Sequence, residues 1–361
     1  MKQSFNAKPT HYQVNNDRTN EDESHRSRNP VRIDIKHEND RASYDKQSPG
    51  PDKDITKSFS SSFHLFSLTF QSKSLLKAVL GNHKNPAIAW SGGKDSTVLL
   101  HMVMKIMPNI KVIWVNTGVE FPECVHFIKK IQDSWKLNLY IAKPSTTFWD
   151  TTDKFGWPML GKGGSGGWQS RANYLERNGR TKLAKATREA KISAACCRLL
   201  KHQPAERLYK ELGVDCLLLG NMIAESRQRY LTWSQRGDYY YASSEGRYKV
   251  WPLASWTDED VWKYHARYKL PHSEIYDKGH KRNGCWPCLM DFHYEDNKLS
   301  LLHKSHPKLW HFLVVEKGLG KRIIALKLAL DEDGQSENVY ENLDKYVDML
   351  VERRPCYFDR L

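Results

Sequence analysis

The sequence predicts an α/β fold, a parallel sheet with helices on both faces, followed by a helical C-terminal region. Two observations carry this. Short apolar runs alternate with segments whose apolar side chains recur every three to four positions, and the runs stop at glycines or polar turns, as the strands of a doubly covered sheet do. Near the C-terminus the strand-like runs cease, and residues 296–315, 319–330 and 337–351 carry only helical spacing.

The alternation begins beyond residue 60. Residues 1–60 nearly balance acids against bases and hold few large apolar side chains. They cannot bury enough surface to offset the entropy of ordering and are expected as a disordered tail. Ser72 to His83 then places Leu75, Leu76, Val79 and Leu80 at helical spacing, and Ala87 to Trp90 reads as the first strand. Asp95 to Met107 follows as a helix, Lys111 to Asn116 as a strand, Glu123 to Lys136 as a helix opened by Pro122, and Leu137 to Ala142 as a third strand. A helix over Pro204 to Leu212 leads into Cys216 to Leu219, a run apolar enough for a central strand. The expected organisation is therefore a tail over 1–60, an α/β domain over 61–295 and a helical region over 296–361. Within the domain, residues 161–201 break the pattern with a glycine cluster (Gly161, Gly163, Gly164, Gly166, Gly167) and a strongly basic stretch, expected as an insertion or mobile lid.

Lys and Arg number 56 against 42 Asp and Glu, a net charge of +14. The tail contributes almost none of it, so the folded part is the basic part. No stretch is long and apolar enough for a membrane helix, and the start lacks the apolar core of a signal peptide. Seven cysteines include a vicinal pair, Cys196 and Cys197, and a CxxC, Cys285 and Cys288. In a chain of this kind that pattern points to metal ligation or redox chemistry in a reducing cytoplasm.

Ser91-Gly92-Gly93-Lys94-Asp95-Ser96 follows a strand and opens a helix. Backbone N–H groups and the helix N-terminus can face an anion there, and the glycines allow close approach. The spacing is not that of a Walker A loop. The string SGGKDS resembles the pyrophosphate loop of the adenine nucleotide alpha hydrolase-like ATP pyrophosphatases, and over residues 85–292 the chain resembles their phosphoadenosine phosphosulfate reductase-like branch. The resemblance implies a Rossmann-like sheet. It implies ATP and Mg2+ held by Ser91, Gly92, Gly93 and Ser96, with Lys94 and Asp95 in catalytic positions.

Two further blocks carry the likeness. Asn116-Thr117-Gly118-Val119-Glu120-Phe121-Pro122-Glu123 resembles the family's DTGxxFPE, which adds Asn116, Thr117 and Gly118 to the nucleotide site. Gly220 to Arg229 resembles its GxRxxESxxR, adding Glu225 and Ser226 and making Arg227 and Arg229 the residues expected to face phosphates. Trp251-Pro252-Leu253 and Thr257 to Trp262 resemble segments that are mostly structural, and Asp258 is expected to serve a helix start. Two positions depart from the family: Asn116 stands where it has Asp, and Met222 where it has Arg. The loop itself is intact, whereas sulfonucleotide reductases usually carry a degenerate version, so the likeness in character is to the ATP pyrophosphatase of DNA phosphorothioation systems.

Four thiolates in two close pairs suit a tetrahedral zinc ion or a 4Fe-4S cluster. Adjacent cysteines chelate one ion poorly, whereas a cluster offers them two different irons, so a cluster on Cys196, Cys197, Cys285 and Cys288 is preferred to zinc or to free thiols. The CC…CxxC arrangement also resembles the cluster site of adenylylsulfate reductases and of the phosphorothioation pyrophosphatases. Cys216 reads as core and Cys124 as a half-buried packing residue. Cys356 sits in an Arg-rich tail without the Glu, Gly or His of the reductases' catalytic cysteine motif, which favours packing over catalysis.

Lys162 to Lys201 interleaves its charge with Trp168 and Tyr174, a composition suited to phosphate backbones and base stacking. The expected function is ATP-dependent sulfur transfer that forms AMP and pyrophosphate and modifies nucleic acid, DNA or tRNA, with a cysteine desulfurase as sulfur donor. The alternatives are a sulfonucleotide reductase using Cys356, and a nucleotide- and nucleic-acid-binding subunit without catalysis.

Overall fold

A computed structural model describes residues 53–159, 166–290 and 298–331. Helix α1 (Lys53–Asn82) precedes β1 (Pro86–Ala89), α2 (Lys94–Met104), β2 (Lys111–Val115), α3 (Pro122–Ser134) and β3 (Leu139–Ala142). Then come α4 (Phe148–Phe155), α5 (Trp168–Arg177), α6 (Thr181–Glu189), α7 (Ala195–Cys197), a π-turn over Arg198–His202, α8 (Gln203–Glu211) and β4 (Cys216–Leu219). A 3-10 turn (Ile223–Glu225) leads to α9 (Arg227–Arg236), the hairpin β5 (Tyr239–Ala242) and β6 (Arg247–Val250), and α10 (Asp258–Tyr268). The last described helices are α11 (Lys298–Ser305), α12 (Pro307–His311), a π-turn over Phe312–Glu316 and α13 (Leu319–Asp331).

Six strands form one sheet in the order β3-β2-β1-β4-β6-β5, parallel except for the β5 edge. The register explains why helices cover both faces. Val112, Ile88, Leu218 and Val250 stand side by side across four strands and share one core with residues of α2, α3 and α10. One residue along, Ala87, Ile113 and Leu217 point the other way and pack against Ala205 and Tyr209 of α8, as the two-residue period of a strand requires. Burying a residue such as Ile88 or Leu218 completely is worth roughly 1.5–3 kcal/mol. The chain winds outward from β1 to β3 and returns to β4 on β1's other side, so the order reverses between β1 and β4, where open α/β sheets place ligands at the strands' C-terminal ends. Among the described residues no helix is long and apolar enough to cross a membrane.

Several expectations need correction. Residues 53–60, expected in the tail, belong to α1, which begins well before Ser72; residues 1–52 lie outside the described residues. Ser72, on α1, donates to the Pro252 carbonyl at 2.6 Å and accepts from Trp256 Nε1 at 3.0 Å, so the Trp-Pro-Leu segment anchors this helix. The β5–β6 hairpin and α9 were not foreseen. Residues 168–201 are no lid: Ala172, Leu175, Ala184, Ala186 and Leu200 are buried, and Ala186, Ala190, Ile192 and Leu200 join a second core with Trp310, Leu313 and Ile323 of the C-terminal helices. The C-terminal helices α11 to α13 appear as expected, and their apolar faces complete that core. Gly161, Gly163, Gly164, the stretch expected as a helix over 337–351 and Cys356 lie outside the described residues.

Candidate functional site: a phosphate-loop cleft beside four cysteines

Strand β1 ends at Ala89, and Ser91, Gly92 and Gly93 turn the chain into α2. Gly92 adopts φ +72°, a left-handed conformation that glycine takes at least cost. Ser91 Oγ accepts from Gly93 N at 3.2 Å, and Ser96 Oγ donates to the Gly93 carbonyl at 3.1 Å. Lys94 N donates to Tyr276 Oη at 3.0 Å, and Asn283 Nδ2 donates to the Ser91 carbonyl at 2.8 Å. Gly220, at the end of β4, backs onto α2 so closely that a Cβ there would stand 3.1 Å from the Ser96 backbone. The loop is thus fixed by hydroxyls and an amide from distant parts of the chain, with the N-terminus of α2 aimed along the switch point.

Lys94 is buried, with its side chain 4% exposed, and its ammonium pairs with Asp95 at 2.7 Å and Asp258 at 2.5 Å. Asp258 therefore does more than serve a helix start; Thr257 and Asp260 form the capping box of α10, and Asp258 is left to meet Lys94. A cleft of about 440 Å3 opens here, lined by Glu225, Asp258, Trp262, Tyr276, His280 and Arg282 among others. Arg229 pairs with Glu225; burial and then Arg282 lower its pKa, while Asp95 pulls it up, which puts the guanidinium in the field of the loop. Arg282 reaches Glu225 at 3.6 Å. Arg227 is exposed on the first turn of α9, whereas Arg229 is half-buried. Ser226 caps α9 by accepting from Arg229 N at 3.3 Å.

At the end of β2, Asn116 Oδ1 accepts from Gly118 N at 2.9 Å, and Glu120 takes the N–H and hydroxyl of Thr117 at 3.0 and 2.6 Å. These side chains shape the turn. Glu120 also forms a bridge with Cys285, Trp286 N donates to the Val119 carbonyl at 2.9 Å, and Thr117 Oγ1 lies 3.5 Å from Cys285 Sγ. The nucleotide-loop block and the CxxC are thus one piece of structure.

The four cysteines come together although the pairs are far apart in sequence. The Cys196 thiol is pushed well above its ordinary range, first by its hydrogen bond with Cys197, then by burial and by the fields of Cys197, Cys288 and Cys285. Burial raises the Cys288 thiol, with Lys298 opposing. Lys201 is raised chiefly by Cys285 and, against desolvation, also by Cys197, Cys288 and Glu120. All four are free cysteines. Among the described residues no group of three or more His, Cys, Asp or Glu side chains is set to hold a metal ion. By chemistry alone, four thiols with Lys201 and Lys298 in their field are the donors and counter-charges that a polynuclear cluster would take. Cys124 is buried rather than half-buried, 3.6 Å from Ser273 Oγ, and burial pushes its thiol up to about 11; Cys216 is core as expected.

Sequence reasoning missed His265, Tyr276, Arg282 and Asn283. The run Lys281-Arg282-Asn283 ahead of Gly284-Cys285 was the one available signal, a polar basic stretch abutting a ligand motif. It also missed a chain of polar groups at the cleft edge. His280 Nε2 lies 3.0 Å from Ser305 Oγ, which lies 2.8 Å from His306 Nδ1, and His306 Nε2 lies 2.8 Å from Glu123 Oε1. Burial pushes His280 down to about 4, so it is neutral at pH 7, and the chain ties α11 and α12 to the cleft.

A strand-to-helix loop at the switch point, a charged cleft and two pairs of free cysteines define an α/β protein with its candidate site at the C-terminal ends of the strands. The chain belongs to the phosphoadenosine phosphosulfate reductase domain family, whose description matches residues 85–162 and 168–290. It is 27% identical over 209 residues to an uncharacterised protein of Methanocaldococcus jannaschii, covering 57% of this chain and 42% of that one. It is 29% identical over 198 residues to a phosphoadenosine 5'-phosphosulfate reductase of Xylella fastidiosa, covering 54% and 69%. The chain therefore spans less than half the length of the archaeal relative. Among solved structures, a tRNA thiolase of Methanococcus maripaludis with its 4Fe-4S cluster aligns at a TM-score of 0.37 and 15% identity, over 76% of this chain and 82% of that one.

The clamp on the loop is testable. A Cβ at Gly93 would stand 2.6 Å from Asn283 Oδ1, so Gly93→Val must expel Asn283 and block backbone approach to a phosphate. Calorimetric titration with ATP is expected to show affinity lower by about tenfold or more with an unchanged circular dichroism spectrum. Parent-like affinity would show that the loop does not carry the nucleotide.

Proposed function

We propose that the chain is an ATP-dependent sulfur-transfer enzyme that forms AMP and pyrophosphate, carries a 4Fe-4S cluster, and modifies nucleic acid in a reducing cytoplasm. The observation that carries this reading is the intact SGGKDS loop at the N-terminus of α2, clamped by Asn283 beside a cleft whose wall residues Asp258 and Glu225 pair with Lys94 and with Arg229 and Arg282. Residues made for a bound anion sit where a pyrophosphate would leave.

In this reading an oxygen of the acceptor attacks the α-phosphorus of ATP, the α–β bridging bond breaks, and its electron pair leaves on pyrophosphate; sulfur then displaces AMP from the activated acceptor. The positive N-terminal end of α2 and the guanidinium of Arg229 stabilise the charge that builds on the leaving group. Lys94 exchanges a carboxylate partner for phosphate. Asp95, at the first turn of α2, repels phosphate by its own charge and serves to hold Lys94 and to meet Mg2+. Cys196, Cys197, Cys285 and Cys288 would hold the cluster, whose chemistry is to bind and hand on sulfur, with a cysteine desulfurase as the supplying partner. The net charge of +14 favours a DNA or tRNA acceptor.

The names of the bacterial relatives favour a second reading, a sulfonucleotide reductase using Cys356. Two experiments separate the readings. Anaerobically purified full chain is expected to release pyrophosphate from ATP, and Asp95→Ala to release it on the order of 100-fold more slowly with the fold intact; a variant as fast as the parent would defeat the pyrophosphatase reading. The same preparation is expected to hold about four irons per chain and to lose them on replacing any one of the four cysteines by Ser, whereas Cys356→Ser retains sulfur transfer. Zinc without iron would refute the cluster, and activity lost in Cys356→Ser with iron unchanged would favour the reductase.

A further inference from the structure

Helix α9 buries none of its residues. A surface helix ordinarily turns an apolar stripe inward, yet α9 leaves Tyr230 and Leu231 outside, 52% and 39% exposed. Its charge is of one sign, with Arg227, Arg229 and Arg236 and no Asp or Glu. Arg229 is tied to Glu225, while Arg227 and Arg236 are exposed. The Tyr230 ring lies 6.5 Å from that of Trp233 with the planes 39° apart, and the Arg236 guanidinium lies 5.3 Å from the centre of the Tyr240 ring. Since α9 starts just after Glu225, which lines the cleft, a strip of rings and guanidinium groups begins where the chemistry is proposed. The basic helices α5 and α6 differ: Arg188 is paired with Glu176 and Arg171 is buried.

We infer that α9 and Tyr240 form the docking face for an unpaired RNA segment, with bases stacked on Tyr230, Trp233 and Tyr240 and phosphates on Arg227 and Arg236. Tyr230 is exposed and Trp233 and Tyr240 are half-buried; such rings take bases only when these are free of a duplex stack, and the arginines complement the backbone without reading sequence. Duplex DNA must first be unpaired, at a cost of a few kcal/mol, whereas folded RNA presents unpaired loops. This rests on the proposed nucleic-acid acceptor and names its class and its seat.

The test is fluorescence anisotropy of the full chain with a labelled single-stranded RNA of about 12 nucleotides and with duplex DNA, alongside calorimetric titration with ATP. The parent is expected to bind the RNA and to bind the duplex more weakly. Tyr230→Ala and Arg236→Ala are each expected to weaken RNA binding about fivefold or more and to leave ATP affinity unchanged. Parent-like RNA affinity in both variants overturns the assignment, as does a parent that binds no RNA, or a loss caused only by Lys182→Ala with Lys185→Ala on α6. A dimer that Tyr230→Ala dissociates, with RNA affinity unchanged, gives the face to a second copy of the chain and also overturns it. A parent that binds RNA through α9 yet releases no pyrophosphate supports this face and defeats the proposed activity.

Discussion

Lys94 carries the connection on which the cleft depends. Its amide N–H donates to Tyr276, its carbonyl accepts from His265 Nε2 at 3.0 Å, and its ammonium joins Asp95 to Asp258. One residue at the start of α2 thereby positions α10 and the segment after it, which supply Trp262, Tyr276, His280 and Arg282 to the cleft wall. A buried ammonium is tolerated only while its partners remain, because removing one partner of a buried pair leaves a charge without compensation. The pairing also holds a cation in reserve beside the loop: a polyphosphate offers Lys94 the same kind of partner that Asp258, itself largely exposed, now provides.

The cysteines extend the same logic to the far side of the site. Glu120 both receives the hydrogen bonds of Thr117 and bridges to Cys285, so a change at the thiols reaches the turn after β2 through two residues. Around them Trp149 lies 5.9 Å from Trp286 and 5.4 Å from Phe312, and the C-terminal helices complete this second core. Helices α11 to α13 are therefore part of the wall around the thiols, and the polar chain from Ser305 and His306 to Glu123 fastens them to α3. Burial works against ionising Glu123, but hydrogen bonds from Lys278, its own backbone and His306 outweigh it and hold the carboxyl below its usual range, so this fastening is charged at neutral pH.

Where a local pattern existed, the sequence was readable. Strands β1 to β4 and helices α2, α3 and α8 announced themselves because their apolar residues follow the strand or helix period and their ends carry Gly, Pro or polar turns. The phosphate loop was legible as a contiguous string. Tyr239-Tyr240-Tyr241-Ala242 gave no alternation of apolar and polar residues, and its partner Arg247-Tyr248-Lys249-Val250 looked solvated, so the edge hairpin stayed hidden. The basic stretch was mistaken for a lid because its charges mask small buried residues, Ala172, Ala184 and Ala186, which fit only against a core contributed from elsewhere in the chain. The meeting of Lys94 with Asp258, or of Ser91 with Asn283, joins residues well over a hundred positions apart, and no spacing rule reaches that far. The cysteine pairs were visible singly, but their convergence is a property of the fold.

The central claim, that this loop serves cleavage between the α and β phosphates, is tested most directly by two ATP analogues offered to the anaerobically purified chain. With a methylene group between the β and γ phosphorus atoms the α–β link is still a phosphoanhydride, and the account predicts that AMP forms and the methylene diphosphonate is released. With the methylene between α and β, the bond to be broken no longer exists, and no AMP forms. Turnover of the second analogue to an ADP analogue and phosphate, with the first left intact, would contradict the account.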